Sequence, residues 1–217
     1  AKGTERGEQF LQEAMKKTPD WTEPAWALSN LYVAQKKRSE GIALLVQLAE
    51  KSPSDRRFKS RLAEVYIGSK EWTNAGAILK QLLNDDPGDA RAHYLQGLLL
   101  ASSGKEDDAF KEYRKAIELD RNMAQAHKQL ALLHLNRLDF TEAHKELNET
   151  LRLSPQDLQA RGLLAKVFAM TGRPREALAE ARIVLDQFPG SADALTARAE
   201  SLLATGEIQE AEKEFLK

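Results

Sequence analysis

Small and large apolar side chains recur along this chain on a fixed 34-residue beat. Counting so that a recurring proline is position 32 of each unit, position 8 holds Ser29, Ala63, Gly97, Ala131, Ala165 and Ala199. Position 20 holds Gly7, Gly41, Ala75, Ala109, Ala143, Ala177 and Ala211. Bulkier residues stand between them: position 11 carries Tyr32, Tyr66, Leu100, His134, Phe168 and Leu202, and position 24 carries Leu11, Leu45, Leu79, Tyr113, Leu147, Ala181 and Phe215. Together with apolar residues at 7 and 27, these positions recur at helical spacing, so each unit predicts two amphipathic helices with one packed face each. Small residues at 8 and 20 let the two helices of a unit approach closely. Gly104, Gly172 and Gly206 share position 15, where the first helix is expected to end and the turn to begin. Pro19, Pro53, Pro87, Pro155 and Pro189 stop the second helix, which a proline cannot extend, and Arg121 stands in the one missing register.

The full units run 22–55, 56–89, 90–123, 124–157 and 158–191, with a half unit at 1–21 and a partial one at 192–217. This pattern resembles the tetratricopeptide repeat family, whose signature is W-x2-L-G-x2-Y, then A-x3-F, then P. The resemblance spans the whole chain and implies an all-α fold, a right-handed superhelical solenoid of antiparallel helix pairs. Departures are local. The tryptophan column reads Ala25, Lys59, His93, His127, Arg161 and Leu195, and Gln96 replaces the usual leucine of its unit, with Leu95 beside it placed to take over the packing. A single unit cannot bury its apolar face, so the units are expected to stack as one continuous array over 1–217. The chain begins and ends inside a unit, and its last helix, Ile208 to Leu216, keeps the ordinary packing residues Ala211 and Phe215. The expectation is a fragment of a longer protein whose exposed repeat ends favour self-association.

Composition narrows the function classes. The 32 basic and 33 acidic side chains leave a net charge of −1, which draws the chain to neither nucleic acid nor an anionic membrane. Aromatic content of 6% adds little stacking surface for a nucleic-acid face. No apolar stretch reaches the length of a membrane span, so direct membrane insertion is not expected. The absence of cysteine excludes a disulfide framework, a Cys-based zinc site and a Cys nucleophile. It leaves the compartment open: cytoplasm and periplasm both tolerate such a chain. The densest basic run, Arg56-Arg57-Phe58-Lys59-Ser60-Arg61, reads as a solvated face at a helix start.

No enzyme signature stands out: there is no phosphate-binding glycine loop, no G-x-S-x-G and no H-E-x-x-H. His93 and His127 share a column and His134 lies seven residues after His127 on the same helical face, so three imidazoles could approach a zinc or nickel ion. The plainer reading makes position 4 a helix seam where histidine replaces tryptophan, because no carboxylate or cysteine completes a ligand set at a recognised spacing. Asp107-Asp108 suits a helix N-terminus. No cofactor, metal or catalytic residue is expected.

Function then rests on surfaces. In the family resembled, the first helix of each unit lines a concave groove, and positions 2, 5, 9, 12 and 13 point into it. On that basis the partner-binding candidates are Trp26, Asn30, Arg57, Glu64, Arg91, Tyr94, Leu98, Lys128, Leu132, Leu135, Lys166 and Met170. The apolar members predict a contact patch, and Arg57, Arg91 and Lys128 a positive rim, which together fit a peptide or amphipathic helix with apolar anchors and acidic flanks. The carboxylate clamp of chaperone-binding members is not reproduced: its columns read Trp26, Asn30, Arg61, Arg91 and Leu95 from unit one, and Lys128, Leu132, Leu163, Asp193 and Ala197 from unit four. The sequence style is similar to bacterial arrays of envelope assembly, pilus biogenesis and exopolysaccharide secretion. The expected function is a non-catalytic scaffold that holds a protein or peptide partner. The alternative is a regulatory or substrate-recruiting module of an enzyme lying outside these residues.

Overall fold

A computed structural model describes residues 2–207, with side chains from residue 5 onward. Among these residues the chain is helical throughout, with twelve helices and no strand. Second helices of the units are α1 (Lys2–Lys17), α3 (Arg38–Lys51), α5 (Trp72–Asp85), α7 (Glu106–Leu119), α9 (Phe140–Leu153) and α11 (Pro174–Gln187). First helices are α2 (Glu23–Ala34), α4 (Arg56–Gly68), α6 (Ala90–Ser102), α8 (Ala124–Asn136), α10 (Leu158–Met170) and α12 (Ala192–Thr205). From α4 onward each first helix begins at position 1 of its unit, and every second helix from α3 begins at position 17. Connections of a few residues make successive helices antiparallel neighbours. The fold is thus an all-α helical repeat array. The segment Ile208 to Leu216, with Ala211 and Phe215, lies outside the described residues.

The turn inside each unit repeats one geometry. Position 15 is left-handed in all six cases: Gly104, Gly172 and Gly206 at φ 79°, 72° and 85°, and Lys36, Lys70 and Leu138 at 63°, 61° and 59°. The amide that follows reaches back to the position-11 carbonyl each time, as in Glu71 N to Tyr66 O and Lys105 N to Leu100 O, both 2.9 Å. This is the Schellman closure, which satisfies the carbonyls a helix leaves unpaired at its C-terminus. At the other ends, Asp55, Asp89, Asp157 and Ser191, all at position 34, accept from backbone amides of the helix that follows. These caps fix where the first helices start.

The chain divides into two compact units, Ala1–Glu112 and Tyr113–Lys217. In the first, Leu45, Leu62 and Val65 form a core against which Trp26, Val33, Ile42, Val46, Tyr66 and Ile78 pack. Leu95 is fully buried, while Gln96 beside it is only half-buried, so Leu95 does the packing in that repeat. In the second, Leu147, Leu163, Leu164, Val167 and Phe168 pack with Ala131, Ala143, Ala160 and Ala177. Ala165, Ala181, Val184, Ala194 and Ala197 extend that core. Small side chains at positions 8 and 20 are buried from Ser29 through Ala199, as close helix approach requires. Gly41 shows the limit: a Cβ there would meet Val33 Cγ2 at 2.9 Å and the Ser29 carbonyl at 3.3 Å.

The lost tryptophan column has a polar replacement. His93 Nδ1 lies 2.6 Å from Glu112 Oε2, His127 Nδ1 lies 2.6 Å from Glu146 Oε2, and Arg161 Nη1 donates to Glu180 Oε2 at 2.8 Å. Each pair joins position 4 of a first helix to position 23 of the second helix in the same repeat. His93 Nε2 also lies 3.0 Å from the Pro87 carbonyl, and Arg161 Nη2 donates to the Pro155 carbonyl at 3.2 Å. A flat, buried or half-buried side chain therefore holds the seam through bonds to a carboxylate, where an indole would hold it by packing.

Candidate partner-binding surface

In the first compact unit, helices α2, α4 and α6 present adjacent faces. Trp26 and Asn30 come from α2, Arg57 and Glu64 from α4, and Arg91, Tyr94 and Leu98 from α6. The structure brings the first five of these together around a groove of about 630 Å³, completed by Arg56, Ser60, Arg61 and Asp89. Trp26 forms one wall, its ring 5.5 Å from Phe58, which is fully buried below. Tyr94 does not join the open surface. Position 5 of α6 turns toward the core, and Tyr94 is 7% exposed, with the Arg91 guanidinium 5.3 Å from its ring centre. Burial pushes its hydroxyl above the ordinary tyrosine range. Leu98 is half-buried.

The predicted positive rim is not bare. Arg57 is bonded to Asp55, through Nε at 3.0 Å, and to Glu23, through Nη2 at 3.3 Å. The Asp55 carboxylate in turn sits below its ordinary range, because the Arg57 side chain donates to it. Arg91 Nη2 donates to Glu64 Oε2 at 3.0 Å. The same oxygen accepts from Arg61 Nη1 at 3.0 Å. Arg61 Nε is held by Asn30 Oδ1 at 3.0 Å, and Asn30 Nδ2 by the Trp26 carbonyl at 3.1 Å. Charge in this groove is therefore organised into a network rather than spread along an edge.

The basic run at the start of α4 is likewise more than a solvated face. Phe58 is core, Ser60 is buried, and Arg56, Arg57 and Arg61 line the groove. Arg56 spans two carboxylates, Asp86 and Asp89, and donates from Nη2 to the Leu82 carbonyl at 3.0 Å. Its Nε is buried and has no acceptor among the described residues. The helical spacing of residues 56, 57, 60 and 61 was the available signal: they fall on one arc of α4.

In the second compact unit, Lys128 Nζ donates to Asp157 Oδ2 at 2.8 Å, both side chains being largely buried. Burial alone would raise the Asp157 carboxyl, but bonds from Lys128 and from the Ala160 and Gln159 amides outweigh it and hold the group below its usual range. Lys166 Nζ stands 3.7 Å from Asp193 Oδ1. Leu132 and Leu135 are half-buried and pack on the Leu163–Phe168 core. Met170 is 45% exposed at the end of α10 and offers the most open apolar side chain among the candidates. His134 Nδ1 lies 3.3 Å from Asp139 Oδ2 in its own turn. Among the described residues no three His, Cys, Asp or Glu side chains gather as a metal-binding group, and no helix is long and apolar enough to cross a membrane.

Comparison with known proteins agrees with this geometry. A tetratricopeptide repeat family model matches residues 32–99, and a second one matches 75–124, 128–181 and 171–217. No curated protein matches the chain by sequence. Among solved structures, a thermophilic tetratricopeptide repeat protein of Thermus thermophilus superposes with a TM-score of 0.69 at 20% identity, covering 84% of this chain and all of that one. PilF of Pseudomonas aeruginosa superposes with a TM-score of 0.65 at 21% identity, covering 74% of this chain and 73% of that one. YrrB, described as a repeat protein with an unusual peptide-binding site, gives a TM-score of 0.54 at 18% identity over 87% of this chain and 97% of its own. The recurring columns, the repeated left-handed turn and the family models agree: the chain belongs to the tetratricopeptide repeat family.

Proposed function

We propose that this chain is a non-catalytic scaffold that binds a peptide or helix of a partner protein on its first-helix faces, within a bacterial multiprotein assembly. The tetratricopeptide fold is generally a protein–protein interaction scaffold, which supports the broad reading. The single observation that carries the site is the groove of the first compact unit, where an indole wall stands beside a fixed guanidinium network. An open groove of about 630 Å³ suits an extended chain or one helix face, with an apolar wall for affinity and charges for register. Exposed Met170 supports a second contact on the first-helix face of the other compact unit. The peptide-binding site that gives YrrB its description is a precedent on this fold. The setting in envelope, pilus or secretion assemblies rests on the sequence style alone.

The test is site-specific photocrosslinking in native lysate. A photoreactive residue replaces Arg57 or Met170 on first helices, or exposed Lys80 or Lys145 on second helices. The groove reading expects one discrete partner from positions 57 and 170 and none from 80 and 145. Capture of the same partner from Lys80 and Lys145 alone would move binding to the second-helix face.

A further inference from the structure

We infer that a hollow beside Ala25, on the seam of α2 with α3 and outside the groove, receives one aromatic side chain of a partner protein. In three other repeats the same seam is filled from within. His93, His127 and Arg161 reach from position 4 to a glutamate at position 23. His93 and Arg161 also reach the carbonyl of the preceding proline. In the first repeat these columns read Ala25, Leu44 and Pro19, so position 4 holds nothing long enough to span the gap. The Pro19 carbonyl accepts from Lys51 Nζ instead. A cavity of about 210 Å³ remains, walled by Ala25, Leu44, Leu48, Met15 and Pro19.

A second departure falls at the same place. Position 34 caps the following helix through Asp55, Asp89, Asp157 and Ser191. Here it is Trp21, and Thr22 at the N-cap makes no side-chain bond. Met123 also breaks this column, but it is buried, whereas Trp21 is 56% exposed and lines the cavity. A helix start that gives up its cap for an exposed indole breaks a local rule, and such breaks gather at functional sites. Size then selects the occupant. The cavity is larger than the roughly 150 Å³ that takes a benzene ring, and smaller than the roughly 300 Å³ at which sites for whole small molecules begin. One ring fits, and what carries the ring must stay outside, as the backbone behind a side chain does. Chemistry selects an aromatic ring over an aliphatic group. Trp21 offers a ring, Met15 a thioether and Lys51 an ammonium, and all three line the cavity.

The experiment pans a phage library of random 12-residue peptides against the whole chain, after depletion on Ala25→Leu, whose longer side chain takes up the cavity. Leu195 stands in the same column, so the repeat accepts leucine there. Enriched sequences are made as amide-capped peptides and titrated by fluorescence anisotropy. The inference expects one aromatic residue, tryptophan above all, shared by the enriched set. Its change to alanine weakens binding to the wild-type chain about thirtyfold, the worth of a buried aromatic anchor, and changes nothing on Ala25→Leu. Trp21→Ala, at an exposed site outside the core, weakens the peptide as well. Thermal melts show that each variant is folded. Peptides that bind Ala25→Leu and wild type alike, an enriched set without an aromatic residue, or full binding by Trp21→Ala would each overturn the inference. So would free indole binding as tightly as the peptide, which would make the site one for a small aromatic molecule. A depleted library that yields no binder overturns it too. None of these outcomes touches the groove reading, whose binders are retained by Ala25→Leu.

Discussion

Position 15 offers a clean experiment on how this repeat closes its turn, because the same left-handed backbone is occupied by three glycines and three non-glycines. Take Gly104→Ala and Lys70→Gly as opposite perturbations. Gly104 has φ +79°, and a Cβ added there meets nothing within 4 Å, so the cost is conformational rather than steric. A side chain in the left-handed region costs about 1–2 kcal/mol. Removing glycine returns about 0.5–1 kcal/mol through the lower entropy of the unfolded chain. The net is a destabilisation of about 0.5–1 kcal/mol for Gly104→Ala, and a similar stabilisation for Lys70→Gly, whose side chain is exposed at φ +61°. Gly104→Asn should cost less than the alanine, since asparagine tolerates this region better. Equilibrium urea unfolding followed by helical circular dichroism reads these shifts as changes of midpoint at constant slope. The two should add in the double variant to within about 0.5 kcal/mol. A neutral or stabilising Gly104→Ala, or a destabilising Lys70→Gly, would show that the turn is not limited by backbone strain.

Two further outcomes are expected. Asp157 caps α10 and pairs with Lys128, and its carboxyl is held below its unfolded value, so the stability it adds is present above about pH 4 and is lost as pH falls through the folded value. Asp157→Ala should cost about 1 kcal/mol at pH 7 and clearly less at pH 3; an equal difference at both would contradict the ion-pair account. Gly162→Ala should stabilise by about 0.5–1 kcal/mol in thermal or urea unfolding, because the site is helical and its new Cβ meets Asp193 Cβ and Ser191 Oγ at an ordinary 3.6 Å; destabilisation would reveal packing tighter than those distances.

The repeat was legible from one-dimensional information because each of its marks has a local physical cause. Proline ends a helix wherever it stands, and small residues in a helical column mean close approach whatever the neighbours are. The glycines at 104, 172 and 206 announced the left-handed turn for the same reason. Lys36, Lys70 and Leu138 did not announce it, since their own preferences oppose it. There the packing of two helices imposes the backbone, and the cost is carried by contacts elsewhere in the repeat. Loss of tryptophan at position 4 was visible, but its replacement by pairs such as His127–Glu146 and Arg161–Glu180 needed the hairpin to bring residues 19 apart into contact.

The binding face was legible only as a set of helix positions. Groove-facing and seam-facing arcs lie side by side on a helix, and the crossing angle of neighbouring helices selects between them. Tyr94 lies in the core, while Trp26, in the same column two repeats earlier, stands on the groove wall. Charge signs could be counted along the chain, but partners could not. Arg57 and Arg91 met carboxylates on adjoining helices, and the run from Arg56 to Arg61 became groove lining instead of a solvated edge. Local propensity and periodicity act over a few residues, which is why they can be read in order along the chain. Burial and charge pairing act through space, and they exist only once the helices have been set against one another.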